Sequence, residues 1–157
     1  MSSARHDVED EVILRKATKS DLNRISFLLE QLGYPQINAE LYKRFTVYQN
    51  NKGYGIIVAC LKDRVIGIIA WSKSYLFILS KVRFHVEALV VDKQFRRLGI
   101  AKKLLNYLEK IAKNHSPSIV DLTSGLRRVA DGTHSFYDML GYCNEGKMAK
   151  LYLRKEF

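Results

Sequence analysis

Two stretches of the chain combine residue types and spacing that can do chemistry. The first is Asp92-Lys-Gln-Phe-Arg-Arg-Leu-Gly-Ile-Ala101, a basic, glycine-bearing link between an apolar run and an amphipathic one. A helix start leaves several backbone N–H groups without intrahelical acceptors and carries a partial positive charge. Gly99 and Ala101 would keep side chains clear of an approaching phosphate, so the link suits a pyrophosphate. It is neither a Walker loop nor the dinucleotide fingerprint, because G-x-x-x-x-G-K-[ST] and G-x-G-x-x-G are both absent. The second stretch is Val82 to Val91, whose alternation puts Val82, Phe84, Val86, Ala88 and Val90 on one face and Arg83, His85, Glu87, Leu89 and Val91 on the other. His85 and Glu87 then share a face, and both can take or give a proton. Each group also has an ordinary reading: a solvated helix cap for Arg96, Arg97 and the nearby lysines, an ion pair for Glu87, a half-buried imidazole for His85.

The elements that must position these residues follow from periodicity and breakers. Val12 to Ala17 reads as a strand, and Thr18-x-x-Asp21 as a capping-box-like helix start, with Leu22, Ile25, Leu29 and Leu32 on one face and a stop at Gly33 and Pro35. A second helix starts at Asn38, carries Leu41, Phe45 and Tyr48, and breaks at residues 50–53. Tyr54–Leu61 and Arg64–Trp71 flank Lys62-Asp63 as a hairpin. Ala101, Leu104, Leu105, Leu108, Ile111 and Ala112 mark an amphipathic helix to about His115, with Lys102, Lys103, Lys110 and Lys113 outward. A short strand (Ile119 to Leu122), a short helix (Thr133 to Leu140, stopped by Gly141) and a last alternating strand (Met148 to Arg154) complete the reading. The apolar run inside Ser72–Lys81 either extends the hairpin strand, to pack or dimerise, or lines a pocket.

A length of 157 residues suits one folded domain, and 47% hydrophobic with 27% charged residues is ordinary globular usage. Residues 1–11 are expected as a flexible lead to a domain over 12–157. The net charge of +10 implies an anionic partner or a surface tuned for solubility, and seven bases against one acid between Lys93 and Lys113 hold +6 of it. Cys60 and Cys143 form no C-x-x-C pair, His6, His115 and His134 have no ligand spacing, and no metal site is expected. Without an apolar leader or a membrane-length run, the expectation is a cytoplasmic protein that does not bind membranes.

The segment Glu87-Ala-Leu-Val-Val-Asp92 through Arg96-Arg-Leu-Gly-Ile-Ala101-Lys-Lys-Leu-Leu105 resembles the acetyl-CoA-binding motif of the GNAT N-acetyltransferase superfamily, [QR]-x-x-G-x-[GA], met here by Arg96, Gly99 and Ala101. A second stretch, Leu122-Thr-Ser-Gly-Leu-Arg-Arg128 and His134-Ser-Phe-Tyr-Asp-Met-Leu-Gly-Tyr142, is similar to T-S-x-x-x-R…A-H-x-F-Y-x-x-x-G-[FY] of small GNAT enzymes, among them the aminoalkylphosphonate and aminoglycoside 6'-N-acetyltransferases. The loop from Val129 to Thr133 departs from that pattern by about two extra residues, and Thr133 stands where alanine is usual. The order of elements is also that superfamily's. The resemblance therefore implies a mixed α/β (α+β) single domain with a central, mostly antiparallel twisted sheet flanked by helices.

It further implies acetyl-CoA as acetyl donor. The pyrophosphate would lie on the backbone N–H groups of Arg97, Leu98, Gly99, Ile100 and Ala101, with Arg96 of the motif also binding the cofactor, and the pantetheine along Leu89, Val90 and Val91, in a strand that often carries a bulge. Acetyl transfer to an amine needs a base for the ammonium and an acid for the departing thiolate. By resemblance Tyr137 is the acid, an ordinary packed aromatic being its other reading. Glu87 leads for the base, with His85 and then Asp121 behind it. A small-molecule primary amine is the expected acceptor, with a mild preference for one carrying an anionic group, and a homodimer is possible by symmetry. A basic nucleic-acid-binding protein and a non-catalytic acyl-CoA-binding module are the competing classes. The first lacks stacking aromatics and a single row of contact lysines, so no nucleic acid is expected.

Overall fold

The computed structural model describes residues 2–125, 128 and 132–157. Two compact units divide the chain, Met1–Val120 and Asp121–Phe157.

The first unit begins with α1 (Ser2–Glu11), helical where a flexible lead was expected, and passes into strand β1 (Val12–Lys16). Thr18 caps the following turn: its backbone N–H donates to Asp21 Oδ2 at 2.8 Å, and Arg15 grips the same carboxylate with both terminal nitrogens at 2.7 and 2.8 Å. Helix α2 (Leu22–Gln31) follows and buries Ile25 and Leu28, and α3 (Asn38–Asn50) buries Leu41 and Phe45. Strands β2 (Tyr54–Leu61) and β3 (Arg64–Tyr75) form the expected hairpin, with β3 carrying the hairpin strand on through Ser72-Lys-Ser-Tyr75. β4 (Val82–Val91) pairs antiparallel with β3, and α4 (Ile100–Lys113) leads to β5 (Ser118–Leu122).

The sheet order is β1-β2-β3-β4-β5, with antiparallel ladders from β1 to β4. A helical crossover joins β4 to β5, the kind of connection that parallel neighbours require. One face of the sheet packs Val58, Cys60, Ile68 and Val90 against Ile25, Leu28, Leu41 and Phe45 of α2 and α3. The other receives α4, whose Ile100, Leu104, Leu105 and Leu108 are buried. Gly67 makes that approach possible, since a Cβ there would stand 3.2 Å from Leu104 Cδ1.

The second unit holds α5 (Thr133–Met139) and a short turn at Gly146–Met148. The strand expected over Met148 to Arg154 does not form: residues 149–157 have no regular structure. Asn144 accounts for part of this, because its side chain accepts from the Lys150 N–H at 2.6 Å and donates to the Lys150 carbonyl at 3.0 Å, tying up both backbone groups early in the run. Leu151 and Leu153 are left exposed at 82% and 81%, so the alternation buries no face.

Candidate active site

The loop after β4 is anchored from beneath. Asp92 is buried, and its carboxylate accepts from Arg24 at 2.7 Å, Gln31 at 3.3 Å and the Gln94 N–H at 3.2 Å. Arg64 approaches the same carboxylate at 3.4 Å. Gln31 also accepts from the Lys93 N–H at 2.9 Å, so the end of α2 clamps the exit of β4. Burial pushes the Asp92 carboxyl up, but the hydrogen bonds from Arg24, Gln94 and Gln31 outweigh it and hold the group below its ordinary 3.8.

From this anchor the chain makes one tight turn, Lys93–Phe95, and Arg96 Nε reaches back to the Val91 carbonyl at 3.0 Å. Two left-handed residues follow, Arg97 at φ 62° and Gly99 at φ 80°. For Gly99 that conformation is free of strain, whereas for Arg97 it costs roughly 1 kcal/mol. The first helical bond of α4 runs from the Lys103 N–H to the Gly99 carbonyl at 2.9 Å. The N–H groups of Ile100, Ala101 and Lys102 therefore have no acceptor within the helix, and they open beside the exposed Arg96 and Arg97. Backbone N–H groups left without acceptors at a helix start, next to two exposed arginines, suit a phosphate. The residues expected to hold a pyrophosphate fit one in conformation and charge.

The β4 ladder sorts the three residues expected along the pantetheine. The Asp92 N–H donates to the Ile66 carbonyl at 2.8 Å, so Val90, opposite Ile68, also turns its backbone groups toward β3. Leu89 and Val91 turn theirs toward the other edge.

Strict alternation along β4 breaks at Glu87. The register passes from Ala70↔Ala88 to Trp71↔Val86, leaving Glu87 as a bulge without an opposite residue. Phe84 and Val86 accordingly lie on the α4 side, where Phe84 meets the His115 ring at 5.4 Å. Beyond the bulge the parity is reversed: Ala88 and Val90 lie on the α2/α3 side, Leu89 and Val91 on the α4 side. The expectation that positions 82, 84, 86, 88 and 90 share one face is corrected accordingly. Glu87 still falls on the side of His85, because Ser72, which stands opposite His85, donates to Glu87 Oε1 at 2.8 Å. Tyr48 of α3 lies close enough that the Glu87 charge, after burial, helps push its hydroxyl up to about 12. Arg83 and His85 Nδ1 are 3.0 Å apart; since a guanidinium only donates, Nδ1 accepts and the neutral ring carries its proton on Nε2. In that tautomer the ring's one free lone pair is engaged by Arg83, whereas Glu87 is an exposed carboxylate at a bulge.

In the second unit Tyr137 packs against Phe136 at 5.2 Å and Tyr142 at 6.0 Å. Burial raises its hydroxyl above the ordinary 10.0, with the nearby Arg128 charge opposing, so it stays protonated at neutral pH. Ser124 Oγ, Arg128 Nε and His134 Nε2 are buried with no hydrogen-bond partner among the described residues, and all three belong to the second motif stretch. Asp121 sits half-buried in β5. The longer loop, except Gly132 and Thr133, lies outside the described residues.

The family model of the acetyltransferase (GNAT) family matches residues 20–142 of the chain. The chain belongs to the GNAT family. Its activity class, N-acetyltransferase, goes with that membership. Among solved structures the GNAT chain is similar to an acetyltransferase of Trypanosoma brucei, at 25% identity and TM-score 0.69, covering 90% of this chain and 99% of that one. It is likewise similar in fold to glucosamine-6-phosphate N-acetyltransferase of Arabidopsis thaliana, with 21% identity, TM-score 0.74 and coverage of 93% and 98%. An aminoglycoside 6'-N-acetyltransferase of Acinetobacter haemolyticus gives 19% identity, TM-score 0.75 and coverage of 92% and 99%. GNAT enzymes ordinarily take acetyl-CoA as donor.

Two features of this GNAT site are not readable from local motifs. The Asp92 clamp joins residues 61 and 68 positions apart, and no short-range pattern pairs Arg24 or Gln31 with it. Glu9, in α1, places its carboxylate against Gly99: Oε2 and Oε1 lie 2.7 and 3.1 Å from where a Cβ on residue 99 would stand. Among the described residues no group of three or more His, Cys, Asp and Glu side chains gathers in a way that could hold a metal ion, and no helix is long and apolar enough to cross a membrane.

Proposed function

We propose that this protein transfers the acetyl group of acetyl-CoA to the primary amine of a small, anionic acceptor, by direct attack in a ternary complex. The observation that carries the reading is the left-handed pair Arg97 and Gly99 opening α4, inside the region that matches the family. The backbone N–H groups of Arg97 to Ala101 hold the pyrophosphate, and the Leu89 and Val91 edge takes the pantetheine amides, with Val90 fixing that edge through its ladder to β3. The cofactor supplies the acetyl group as a thioester. Glu87 accepts a proton from the acceptor's ammonium, directly or through a water, which frees the nitrogen lone pair for attack. As the new C–N bond forms and the C–S bond breaks, the Tyr137 hydroxyl gives its proton to the sulfur, and the second surplus proton on the nitrogen passes, directly or through a water, to the Tyr137 oxygen, leaving a neutral amide and a free thiol.

The anionic acceptor is supported by two features. The net charge is +10, and in the second unit Ser124 Oγ, Arg128 Nε and His134 Nε2 are buried without a hydrogen-bond partner among the described residues; of these the Arg128 Nε–H can only donate, and the other two can donate. Both cysteines are free thiols, which accords with a cytoplasmic setting.

The test is amine-dependent release of CoA thiol from acetyl-CoA across a panel of primary amines. Aminoalkylphosphonates and amino-sugar phosphates are expected to turn over with higher kcat/KM than polycationic aminoglycosides. Preference for the polycations would contradict the anionic acceptor, and acetyl-CoA binding without turnover on any amine would contradict the enzymatic reading.

A further inference from the structure

We propose that α1 is a built-in competitor for the phosphate cradle, docking the Glu9 carboxylate where the cofactor's pyrophosphate must come. The inference rests on reading residues 96–101 as that cradle. Its first support is position: both Glu9 carboxylate oxygens lie within 3.1 Å of the point a Cβ on Gly99 would occupy, in the room the glycine leaves open. An anion already stands at the one place where the loop's conformation reserves space for an anion.

The second support is how α1 is held. Lys103, one turn into α4, donates its ammonium to the Glu9 carbonyl at 2.8 Å and to the Val12 carbonyl at 2.8 Å. A cation beside the cradle thus grips the α1–β1 junction. The third support is composition. Glu9, Asp10 and Glu11 occupy the last turn of α1, where the helix macrodipole disfavours negative charge, and no basic residue offsets them there. From Asp7 to Glu11 only Val8 is apolar. These acids oppose the stability of their own helix, and one of them, Glu9, lies against Gly99, at the junction of a loop that carries Lys93, Arg96 and Arg97 with a helix that carries Lys102 and Lys103 in its first turn. A stronger anion arriving at Gly99 would compete with the Glu9 carboxylate for that space.

The consequence is an exchange. Carboxylate and pyrophosphate repel each other and cannot share the cradle, so acetyl-CoA binds as α1 lets go, and its apparent affinity falls by the fraction of molecules in which α1 is docked.

The experiment compares the full-length protein with Glu9→Gln and Glu11→Gln by calorimetric titration with CoA. Both variants change the net charge equally, and Glu11 is exposed. Glu9→Gln should tighten CoA binding roughly two- to fivefold while Glu11→Gln leaves it near wild type. Hydrogen exchange of the α1 amides should quicken when CoA saturates the wild-type protein. Equal affinity in wild type and Glu9→Gln, with unchanged exchange in α1, overturns the competitor while the cradle stands. Equal tightening by both variants also overturns it, as a net-charge effect. Absence of CoA binding in all three proteins overturns the cradle reading itself, and the competitor with it.

Discussion

At the residue scale the proposed chemistry rests on two side chains with opposite tasks. Tyr137 is kept protonated because burial raises its hydroxyl against the opposing Arg128 charge, which suits an acid. Tyr137→Phe is expected to lower kcat about tenfold or more while leaving acetyl-CoA affinity within about twofold, as read by steady-state kinetics beside a binding titration. An unchanged kcat would return Tyr137 to a packing role beside Phe136 and Tyr142. Glu87 owes its exposure to the β4 bulge, and the bulge is where sequence reading reached its limit. Val82 to Glu87 alternates and Ala88 to Val91 is apolar throughout, so the local pattern does not place the extra residue; the register against β3 decides it, with Trp71 meeting Val86 and Ala70 meeting Ala88. The candidate proton acceptor was legible as a carboxylate in the right strand, but its surroundings of Ser72 and Tyr48 were not, because both are set by other elements.

At the element scale the exit from β4 is governed by α2 through Asp92. Replacing Asp92 with Asn leaves Arg24 and Arg64 beside an uncharged partner and is expected to destabilise the fold by about 2–4 kcal/mol, measured by urea denaturation at pH 7. The sign of the pH dependence follows from the lowered carboxyl. A carboxyl held below 3.8 in the folded state contributes stability that is full above that value and is lost as pH falls through the folded one. Wild type should therefore lose stability more steeply than Asp92→Asn as pH falls below about 4; equal slopes would mean that Asp92 contributes nothing through its charge. The main elements were readable because each carries a strong local period: α4 repeats its apolar face over fourteen residues, and β2 and β3 are apolar runs across a two-residue turn. The strand expected at Met148 to Arg154 shows the converse. Alternation states which side chains could share a face but not whether a neighbouring strand is there to pair, and Asn144 instead holds the Lys150 backbone in a local loop.

At the scale of the whole molecule, the chain's excess positive charge finds its place in the loop and helix that follow β4, where seven of the 26 basic residues lie between Lys93 and Lys113. The family was readable before any coordinates, from Arg96, Gly99 and Ala101 and from the order of elements. The helix over residues 2–11 was not: Glu9, Asp10 and Glu11 in its last turn run against helix preference at that end, and the position of Glu9 against Gly99 joins residues far apart in the chain. The central claim is that the start of α4 cradles the pyrophosphate of acetyl-CoA, and calorimetric titration of wild type and Gly99→Glu with acetyl-CoA, each checked for its fold by circular dichroism, tests it most directly. One-to-one saturable binding by wild type, weakened tenfold or more in the folded variant, is what the account predicts. No saturable binding by wild type, or equal affinity in the two proteins, would contradict it.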